Sequence, residues 1–361
     1  MLKEYDIAIA GGGPAGSSAA IRLARFGWRV AIFEATTFEL SRPGETLPPE
    51  INPLLREFGV WRNFQEQDPV EAPGIISAWN GPHAQETDFA FNPHGSGWHI
   101  DRRRFDLMLF HAAEREGAAI FSGVRVEFER QEFGWRVNRR SGPPLHARFV
   151  IDATGRNGIR IDGSRERITD DLLIATTLRI SYCDPRRRDL RTLIEATPSG
   201  WWYSACLPGN SLIAMFFTGR EEYRRGDDFI RGQLDEAPLT RGRLQKSGIT
   251  KTGAAVTVVT SSRRRRMAGE GWLAVGDSVC SFDPLSGRGI FKALRHGASA
   301  AAAADASMRG DGIALEHYAD MARQEFDTYL MQKESFYASQ IRWADRAFWK
   351  ARAGAVKLNA A

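Results

Sequence analysis

Residues 5–34 read YDIAIAGGGPAGSSAAIRLARFGWRVAIFE, and this stretch decides the fold. Its two ends, Tyr5–Ala10 and Arg29–Phe33, are short apolar runs that predict buried parallel strands. The small residues of Ser17–Phe26 predict a helix between them. A strand, a glycine-rich turn, a helix and a second strand therefore follow one another in the order of a βαβ unit.

The glycines of the turn have the spacing that a dinucleotide requires. Gly11 permits a tight turn, Gly13 lets the backbone approach a pyrophosphate, and Gly16 lets the helix pack closely on the strand. The helix N-terminus offers free N–H groups and the positive end of its dipole to the phosphates. Glu34 ends the second strand, about 20 residues into the unit, where a carboxylate accepts hydrogen bonds from a ribose. The unit therefore predicts adenine-dinucleotide binding.

The composition is that of an ordinary globular protein. Of 361 residues, 43% are hydrophobic and 26% are charged, and no apolar run approaches the ~20 residues of a membrane span. The first strand begins too early to leave room for a signal peptide, so a cytoplasmic location is expected. Three widely spaced cysteines predict neither a disulfide framework nor a metal site: Cys183, Cys206 and Cys280.

The net charge is +5, and many of the cations are arginines in short runs. The runs are Arg102–Arg104, Arg186–Arg188 and Arg263–Arg266. Solvated loops would explain them, and so would a basic rim that attracts an acidic partner. No recognition motif accompanies the charge, so nucleic-acid binding is not expected.

The pattern along the chain predicts an α/β nucleotide-binding fold that a β-sheet lobe interrupts. Between Leu172 and Val259 strand-like segments alternate with turns, with one helix at Asp227–Glu236. A buried strand returns at Gly271–Val275, and a long helix follows it. The predicted division is a nucleotide-binding domain at 1–68, 100–171 and 260–310, a mixed-sheet substrate lobe at 69–99 and 172–259, and C-terminal helices at 311–361.

Two further turns narrow the choice of dinucleotide cofactor. Gly276 and Asp277 follow a buried strand, so the carboxylate can lie near a ribityl hydroxyl, and the glycine-rich Asp283–Ile290 then offers N–H donors to a flavin edge. A helix N-cap with ordinary turn glycines is the alternative for this segment. The third signal is Ile151–Gly155, where another strand enters a turn.

Together these three spacings resemble the FAD enzymes with a glutathione-reductase-like fold, in the superfamily of aromatic hydroxylases, geranylgeranyl reductases and flavin-dependent halogenases. The resemblance covers nearly the whole chain and implies that FAD is the cofactor. The implied FAD-binding residues are Gly11, Gly13, Pro14, Ala15, Gly16, Glu34, Ala35, Thr46, Arg102, Val126, Asp277, Gly287, Gly289 and Ile290.

Other segments resemble the halogenase-like branch. The loop Pro43–Pro49 (PGETLPP) is similar to the branch's Gly-Glu-(Ser/Thr)-x-x-Pro loop, and Gly200–Tyr203 lies where halogenases have a Trp-x-Trp-x-Ile-Pro strand. Two departures matter. Cys206 stands where that proline is expected, and no lysine lies between Arg42 and His99, where halogenases have the lysine that directs hypohalous acid. The departures disfavour halogenation.

Within this branch the chain resembles the flavoproteins that mature cysteine tryptophylquinone in lysine and glycine oxidases and in quinohemoprotein amine dehydrogenase. The loop Pro43–Pro49, the strand from Gly200, Asp283–Ile290 and the tail segment Phe336–Trp349 carry this likeness. It implies that O2 reacts with reduced FAD to give a C4a-hydroperoxide, which oxygenates an aromatic group. The acceptor would be an aromatic small molecule or a tryptophan of a partner protein. Electrons would come from NAD(P)H or a separate flavin reductase.

Few side chains are candidates for the chemistry. Glu45 is the candidate acid or base, although a loop carboxylate that binds backbone N–H groups would have the same sequence. Trp201, Trp202 and Tyr203 are candidates for an aromatic substrate slot, or else half-buried sheet aromatics. His94 and His99 flank a glycine-containing turn and are interpreted as loop histidines.

The sequence therefore predicts an FAD-dependent monooxygenase acting on an aromatic group, such as a peptidyl tryptophan during quinone cofactor biogenesis. A reductase or dehydrogenase of the geranylgeranyl-reductase type and a true halogenase remain the alternatives. A binding module in which FAD is only structural is a third. No metal site is predicted, and the oligomeric state is left open.

Overall fold

A computed structural model describes residues 4–39, 42–81, 83–140, 142–181, 189–246 and 251–354. Cys183 and Arg186–Arg188 lie outside these residues. The helices are α1 (Pro14–Arg25), α2 (Ile51–Glu57), α3 (Trp61–Gln65), α4 (Arg102–Arg115), α5 (Arg220–Tyr223), α6 (Asp227–Asp235), α7 (Pro238–Lys246), α8 (Gly289–Met308), α9 (Ala314–Ala338) and α10 (Ala347–Lys350). The strands are β1 (Glu4–Ala10), β2 (Val30–Glu34), β3 (Thr46–Leu47), β4 (Val70–Ala72), β5 (Gly74–Ala78), β6 (Gln85–Asp88), β7 (Gly97–His99), β8 (Ala119–Ser122), β9 (Val126–Gln131), β10 (Gly134–Arg139), β11 (Leu145–Asp152), β12 (Arg167–Ser181), β13 (Thr192–Thr197), β14 (Gly200–Leu207), β15 (Ser211–Thr218), β16 (Lys251–Arg264), β17 (Ala268–Gly269), β18 (Trp272–Ala274) and β19 (Cys280–Ser281).

The first sheet contains the βαβ unit. Five of its strands run parallel in the order β18, β11, β1, β2, β8, and the hairpin β9–β10 joins it at β11. The chain leaves β1 through α1 to reach β2 on one side, whereas β11 lies on the other side. The glycine turn therefore lies at the point where the strand order reverses, which is where open α/β sheets bind ligands. The predicted α/β fold is confirmed.

Both faces of this sheet are covered. Ile7 and Ile9 pack against α1, α4 and α8, whereas Ala8 and Ala10 face the hairpin β9–β10 and α9. The alternation follows from the two-residue period of a strand. Because both faces are buried, the polar ends of the strands are the part of the sheet that can meet a ligand.

The second sheet has the order β19, β16, β12, β15, β14, β13, β5, β6, and its pairs are antiparallel except β13–β5. One face packs on α9 and α10, and the other packs on α6 and α7. The long strands β12 and β16 cross the boundaries predicted at 171/172 and 259/260. Two continuous strands of the second sheet thus extend across the predicted domain boundaries.

Some local predictions are corrected. The sequence of Leu54–Phe64 predicts one helix, but the structure has two helices there, α2 and α3, because Gly59 between them has a φ of +72°. Helix α7 was not predicted, since Leu239 and Leu244 are its only large apolar residues. His99 is fully buried in β7, its Nε2 lies 3.0 Å from Thr192 Oγ1, and burial lowers the pKa of His99 to about 3. A helix that spans a membrane must be long and apolar. None of the described helices is both long and apolar enough to cross a membrane.

Candidate functional site: a cofactor and substrate cavity

A continuous cavity of about 1810 Å³ extends from the carboxyl edge of the first sheet to one face of the second. It exceeds the ~300–1,000 Å³ of common ligand pockets, so it has room for a dinucleotide and a second molecule. Sixteen predicted site residues line it: Gly11, Gly13, Pro14, Ala15, Glu34, Ala35, Glu45, Thr46, Arg102, Val126, Trp201, Tyr203, Asp277, Gly287, Gly289 and Ile290. Gly16 lies beneath the turn, and Trp202 lies on the opposite face of the second sheet.

The three glycines of the turn meet different constraints. A Cβ on Gly11 would collide with the carbonyl of Ala153, and a Cβ on Gly16 would collide with the carbonyl of Gly11. A Cβ on Gly13, by contrast, would find only Arg42 Nη1 nearby, at 3.7 Å. The first and third glycines are therefore required by the fold itself. The second leaves an open cradle at the N-terminus of α1, where a pyrophosphate fits.

Glu34 is a buried and fully engaged carboxylate. Its Oε2 accepts the N–H of Gly12 at 2.9 Å, and its Oε1 accepts from Thr36 Oγ1 at 2.8 Å and Arg42 Nη2 at 2.7 Å. Burial by itself would raise its pKa, but the charge of Arg42 and these hydrogen bonds hold the pKa below its ordinary value. Glu34 is thus ionised and fits the ribose-binding role. Arg42 was not singled out from the sequence, because no motif marks it.

Replacing Glu34 with glutamine is expected to raise the Kd for FAD about tenfold, since a charged hydrogen bond contributes about 1.5–3 kcal/mol. Titration of the apoprotein with FAD measures the change. Glu127→Gln is the matched control, because Glu127 is an exposed residue that also lines the cavity. An unchanged Kd in the Glu34 variant would contradict the assigned role.

The other end of the cofactor region is organised by Asp152 and Asp277. Asp152 is completely buried, forms an ion pair with Arg264 at 2.6 Å and accepts the N–H of Thr154 at 3.0 Å. It thereby fixes the turn that follows β11. Asp277 lies 3.0 Å from Lys292 Nζ and 3.4 Å from Arg156 Nε. Burial would raise the pKa of Asp277, but these cations lower it, so its carboxylate can accept a hydrogen bond from a ribityl hydroxyl.

The loop that carries Glu45 is held rigidly against the cavity. Arg102 Nη1 donates to the carbonyl of Pro43 at 2.5 Å, and its guanidinium makes two bonds to Asp106, at 3.1 and 3.0 Å. Gly44, with a φ of +105°, donates its N–H to Glu45 Oε2 at 2.9 Å. These contacts fix the position of Glu45.

Glu45 itself is 2% exposed and lies between two cavities. The smaller one, of about 220 Å³, also borders Arg102 and Arg179. Arg179 Nη2 donates to Glu45 Oε1 at 3.1 Å. Burial raises the pKa of Glu45, although the charge of Arg179 opposes the shift. A carboxyl group with a raised pKa, in contact with the main cavity and with a second polar opening, is suited to exchanging a proton.

One face of the second sheet forms the floor of the substrate end. Trp201 on β14 is opposite Phe217 on β15, which is opposite Ala175 on β12, which is opposite Thr257 on β16. This row of four is called the floor row. Trp201 stacks on Phe217 with ring centroids 4.1 Å apart. The floor row therefore grades from large aromatic to small side chains as it approaches β16.

Tyr203 lies in the neighbouring row and connects the floor to the Glu45 loop. Its hydroxyl lies 2.5 Å from Thr46 Oγ1. Trp202 alternates to the other face, where its Nε1 donates to the carbonyl of Gln233 at 3.2 Å. The structure thus places Trp201 and Tyr203 at the cavity and Trp202 away from it, as the period of a strand requires.

A buried hydrogen-bond chain links the floor row to the loop after β19. Trp201 Nε1 donates to the hydroxyl of Tyr337 at 3.0 Å, and that hydroxyl donates to Asp283 Oδ2 at 2.9 Å. Asp283 lines the cavity, and burial raises its pKa. The sequence identifies the glycine-rich segment Asp283–Ile290 but predicts no role for the Asp283 side chain. Helix α9 thereby fixes both the floor and the glycine loop.

The Tyr337→Phe substitution is expected to lower the free energy of unfolding by about 1–3 kcal/mol, because two buried polar groups lose their partner. Denaturant unfolding of the FAD-loaded protein measures this loss. Tyr223→Phe, on the surface helix α5, is the control and is expected to change little. Equal stability of the wild type and the Tyr337 variant would exclude the structural role of the chain.

The comparisons with known proteins agree with this geometry. Residues 4–333 match the family model described as FAD binding domain. The chain belongs to this family of FAD-binding proteins. It is 33% identical over 81% of its length to a 1H-pyrrole-2-carbonyl-[peptidyl-carrier protein] chlorinase of Pseudomonas fluorescens, 73% of which is covered. The chain is therefore an FAD-dependent enzyme of the family that contains the flavin-dependent halogenases, and the expected superfamily is confirmed.

Another relative matches over nearly its whole length. LodB of Marinomonas mediterranea, to which an FAD-dependent oxidoreductase activity is assigned, is 26% identical, with 97% of both chains covered. The fold is that of solved halogenases: the structure of CmlS, a flavin-dependent halogenase, superposes with a TM-score of 0.87 at 23% identity, over 98% of this chain and 68% of that one. The peptidyl tryptophan dihydroxylase QhpG superposes with a TM-score of 0.81 at 22% identity, over 99% of this chain and 80% of QhpG.

The residues of the cofactor region fit FAD. The open cradle at Gly13, the ionised Glu34 and the ionised Asp277 line one cavity and suit the pyrophosphate, the adenosine ribose and the ribityl chain, respectively. Bound there, FAD would supply the redox chemistry, and the chain's own residues would position the acceptor and handle protons.

Proposed function

We propose that this enzyme is an FAD-dependent monooxygenase that hydroxylates an aromatic ring, namely a tryptophan side chain within a polypeptide. The observation that carries the proposal is the pairing of an aromatic floor with a buried carboxyl group. Trp201 and Phe217 can hold a flat ring by stacking, and Glu45 lies at the junction of this floor with the cofactor region. No described residue that lines the cavity is a lysine.

The overall reaction needs O2 and a two-electron donor. One oxygen atom replaces a ring hydrogen as a hydroxyl group, and the other leaves as water with the two electrons of NAD(P)H or of a reductase-supplied flavin. In this scheme Glu45 accepts the proton released at the substrate and passes it toward the smaller cavity. The floor row orients the ring and excludes water from it.

Halogenation is the second candidate, because the chlorinase of Pseudomonas fluorescens is 33% identical. One feature of the sequence favours hydroxylation over halogenation. Halogenases of this branch resemble the chain in the Glu45 loop but carry a lysine after it, whereas residues 43–98 contain none. A buried carboxyl group can remove a proton but cannot take the place of that amine.

The test incubates the FAD-loaded protein with NADH or NADPH, O2 and a tryptophan-containing peptide, with and without chloride and bromide. The expected result is a gain of one oxygen atom on the tryptophan in every halide condition, detected by mass spectrometry. A halogenated product would establish the second candidate instead. Turnover without O2 would point to a reductase.

A further inference from the structure

Strand β16 has an open edge beside the substrate cavity. It pairs with β12 along most of its length, but on its other side the described residues pair with it only at Ser262 and Arg263, through β19. Among the described residues, residues 255–260 therefore have no strand partner on this side and form a free edge, at the end of which the carbonyl of Thr260 accepts a hydrogen bond from Ser281 Oγ at 2.8 Å. Every second residue of such an edge directs its N–H and C=O groups away from the sheet.

The sequence of this edge lacks the usual protection against pairing. Residues 254–262 read AAVTVVTSS and contain neither a charge nor a proline. Val256 and Val258 are 51% and 54% exposed. Natural edge strands are normally guarded by lysine, proline or a covering element, so an apolar, unguarded edge indicates a surface that another strand covers.

The edge is also the end of the floor row. Thr257 and Val258 line the cavity, and Thr257 is opposite Ala175 on the same face as Phe217. A strand added beside β16 would continue this row, because paired residues of neighbouring strands share a face. The side chain opposite Thr257 would then project over the floor. The small side chains of Ala175 and Thr257 leave room there for a ring.

The charge of the cavity indicates the composition of the added strand. Arg160 and Arg165 line the same cavity on the loop after β11, whereas Arg156 on this loop is paired with Asp277 and the neighbouring Asp162 is paired with Arg266. The whole chain carries a net charge of +5. An extended segment with acidic residues beside its aromatic residue would complement this wall.

We propose that residues 255–260 bind an acidic, extended segment of the substrate polypeptide as an additional β-strand, which delivers its aromatic side chain onto the floor row. This inference rests on the proposed function, since it assigns the way in which a polypeptide substrate docks. Backbone hydrogen bonds supply the affinity, and alternate side chains supply the specificity. Pairing with a second copy would instead lay another β16 across the mouth of both cavities.

The experiment uses the full-length, FAD-loaded protein and a labelled peptide in which Val and Thr alternate around one tryptophan and aspartates flank both ends. Its control is the same peptide with every second backbone amide methylated, which keeps the side chains and removes the ladder donors. We expect methylation to weaken binding at least about tenfold, as measured by fluorescence anisotropy. Hydrogen exchange should show protection confined to the amides of residues 255–260 when the unmethylated peptide binds.

A second comparison uses protein variants. The double substitution Val256→Lys and Val258→Lys is expected to weaken peptide binding at least about tenfold, because apolar cross-strand contacts are lost. This loss is expected even though the new positive charges attract an acidic ligand. Ile313→Lys is the matched control, since Ile313 is also 54% exposed but lies before α9. FAD binding should be unchanged in both variants.

Equal binding of the two peptides, binding without protection at residues 255–260, or no binding at about 1 mM peptide would overturn the docking assignment. A dimer that dissociates in the Val256/Val258 variant would assign the edge to a second copy and would also overturn it. Peptide that binds at the edge but gains no oxygen would refute the proposed function and leave the docking site intact. If the enzyme oxygenates a tryptophan amide, and neither the edge substitutions nor added methylated peptide changes the rate, the docking site is refuted and the proposed function stands.

Discussion

Replacing Gly13 with alanine is expected to leave the apoprotein folded and to weaken FAD binding at least about tenfold. The backbone of Gly13 has a φ of −72°, which alanine adopts without strain, and the added Cβ would find only Arg42 Nη1, at 3.7 Å. The methyl group would instead occupy the approach of the pyrophosphate to the N-terminus of α1. Titration with FAD and thermal unfolding of the apoprotein measure the two effects separately.

Gly16→Ala provides the contrast. Its Cβ would collide with the backbone carbonyl of Gly11, so both the apoprotein's stability and its FAD binding should be lost. Gly232→Ala is the control, because nothing lies within 4 Å of a Cβ at this helical position, and alanine stabilises a helix by up to about 1 kcal/mol. If Gly13→Ala bound FAD normally, the pyrophosphate would not approach this glycine.

Replacing Glu45 with glutamine is expected to lower kcat by about 10²–10⁴-fold while FAD remains bound, because a positioned proton acceptor contributes about this much. Glutamine can still accept the N–H of Gly44 through its carbonyl oxygen, so the loop should keep its conformation. Steady-state oxygenation of a tryptophan peptide measures the effect. Glu39→Gln is the control, since Glu39 is an exposed carboxylate that borders the smaller cavity.

The pH dependence of the reaction follows from the direction of the Glu45 shift. As a base, Glu45 must be ionised, and burial raises its pKa, so activity should fall as the pH is lowered through this raised pKa. The acidic limb of the kcat profile should therefore lie above the ordinary range of a glutamate. The limb should be absent in the Glu45→Gln variant. An identical limb in both proteins would assign it to another group.

The local part of the cofactor region could be predicted because its residues are neighbours in sequence. The two strands, the turn and Glu34 all lie within residues 4–34, and they follow from the apolar period, the glycine spacing and the position of the strand end. The role of Arg42 could not be predicted, because no sequence motif marks the loop from which it forms an ion pair with Glu34. The boundary between α2 and α3 depended on the left-handed conformation of one glycine, Gly59.

The substrate end depends on long-range pairing. Thr46 and Tyr203 are 157 residues apart in sequence, yet their hydroxyls lie 2.5 Å from one another. Two adjacent strand residues always lie on opposite faces, but which of Trp201 and Trp202 faces the cavity required the register of β14, because shifting a strand by one residue exchanges its faces. Aromatic residues in a row could be recognised from the sequence, but not which of them faces the cavity.

The sequence by itself determined the βαβ unit, the spacing of the glycines in its turn and the absence of a lysine after the Glu45 loop, because these are properties of contiguous residues. Only the tertiary structure decided the burial of Glu45 against Arg179, the floor row and the free edge of β16. Each of these depends on which strands pair and in which register. That choice is made by the burial of whole faces, to which residues far apart in the chain contribute together.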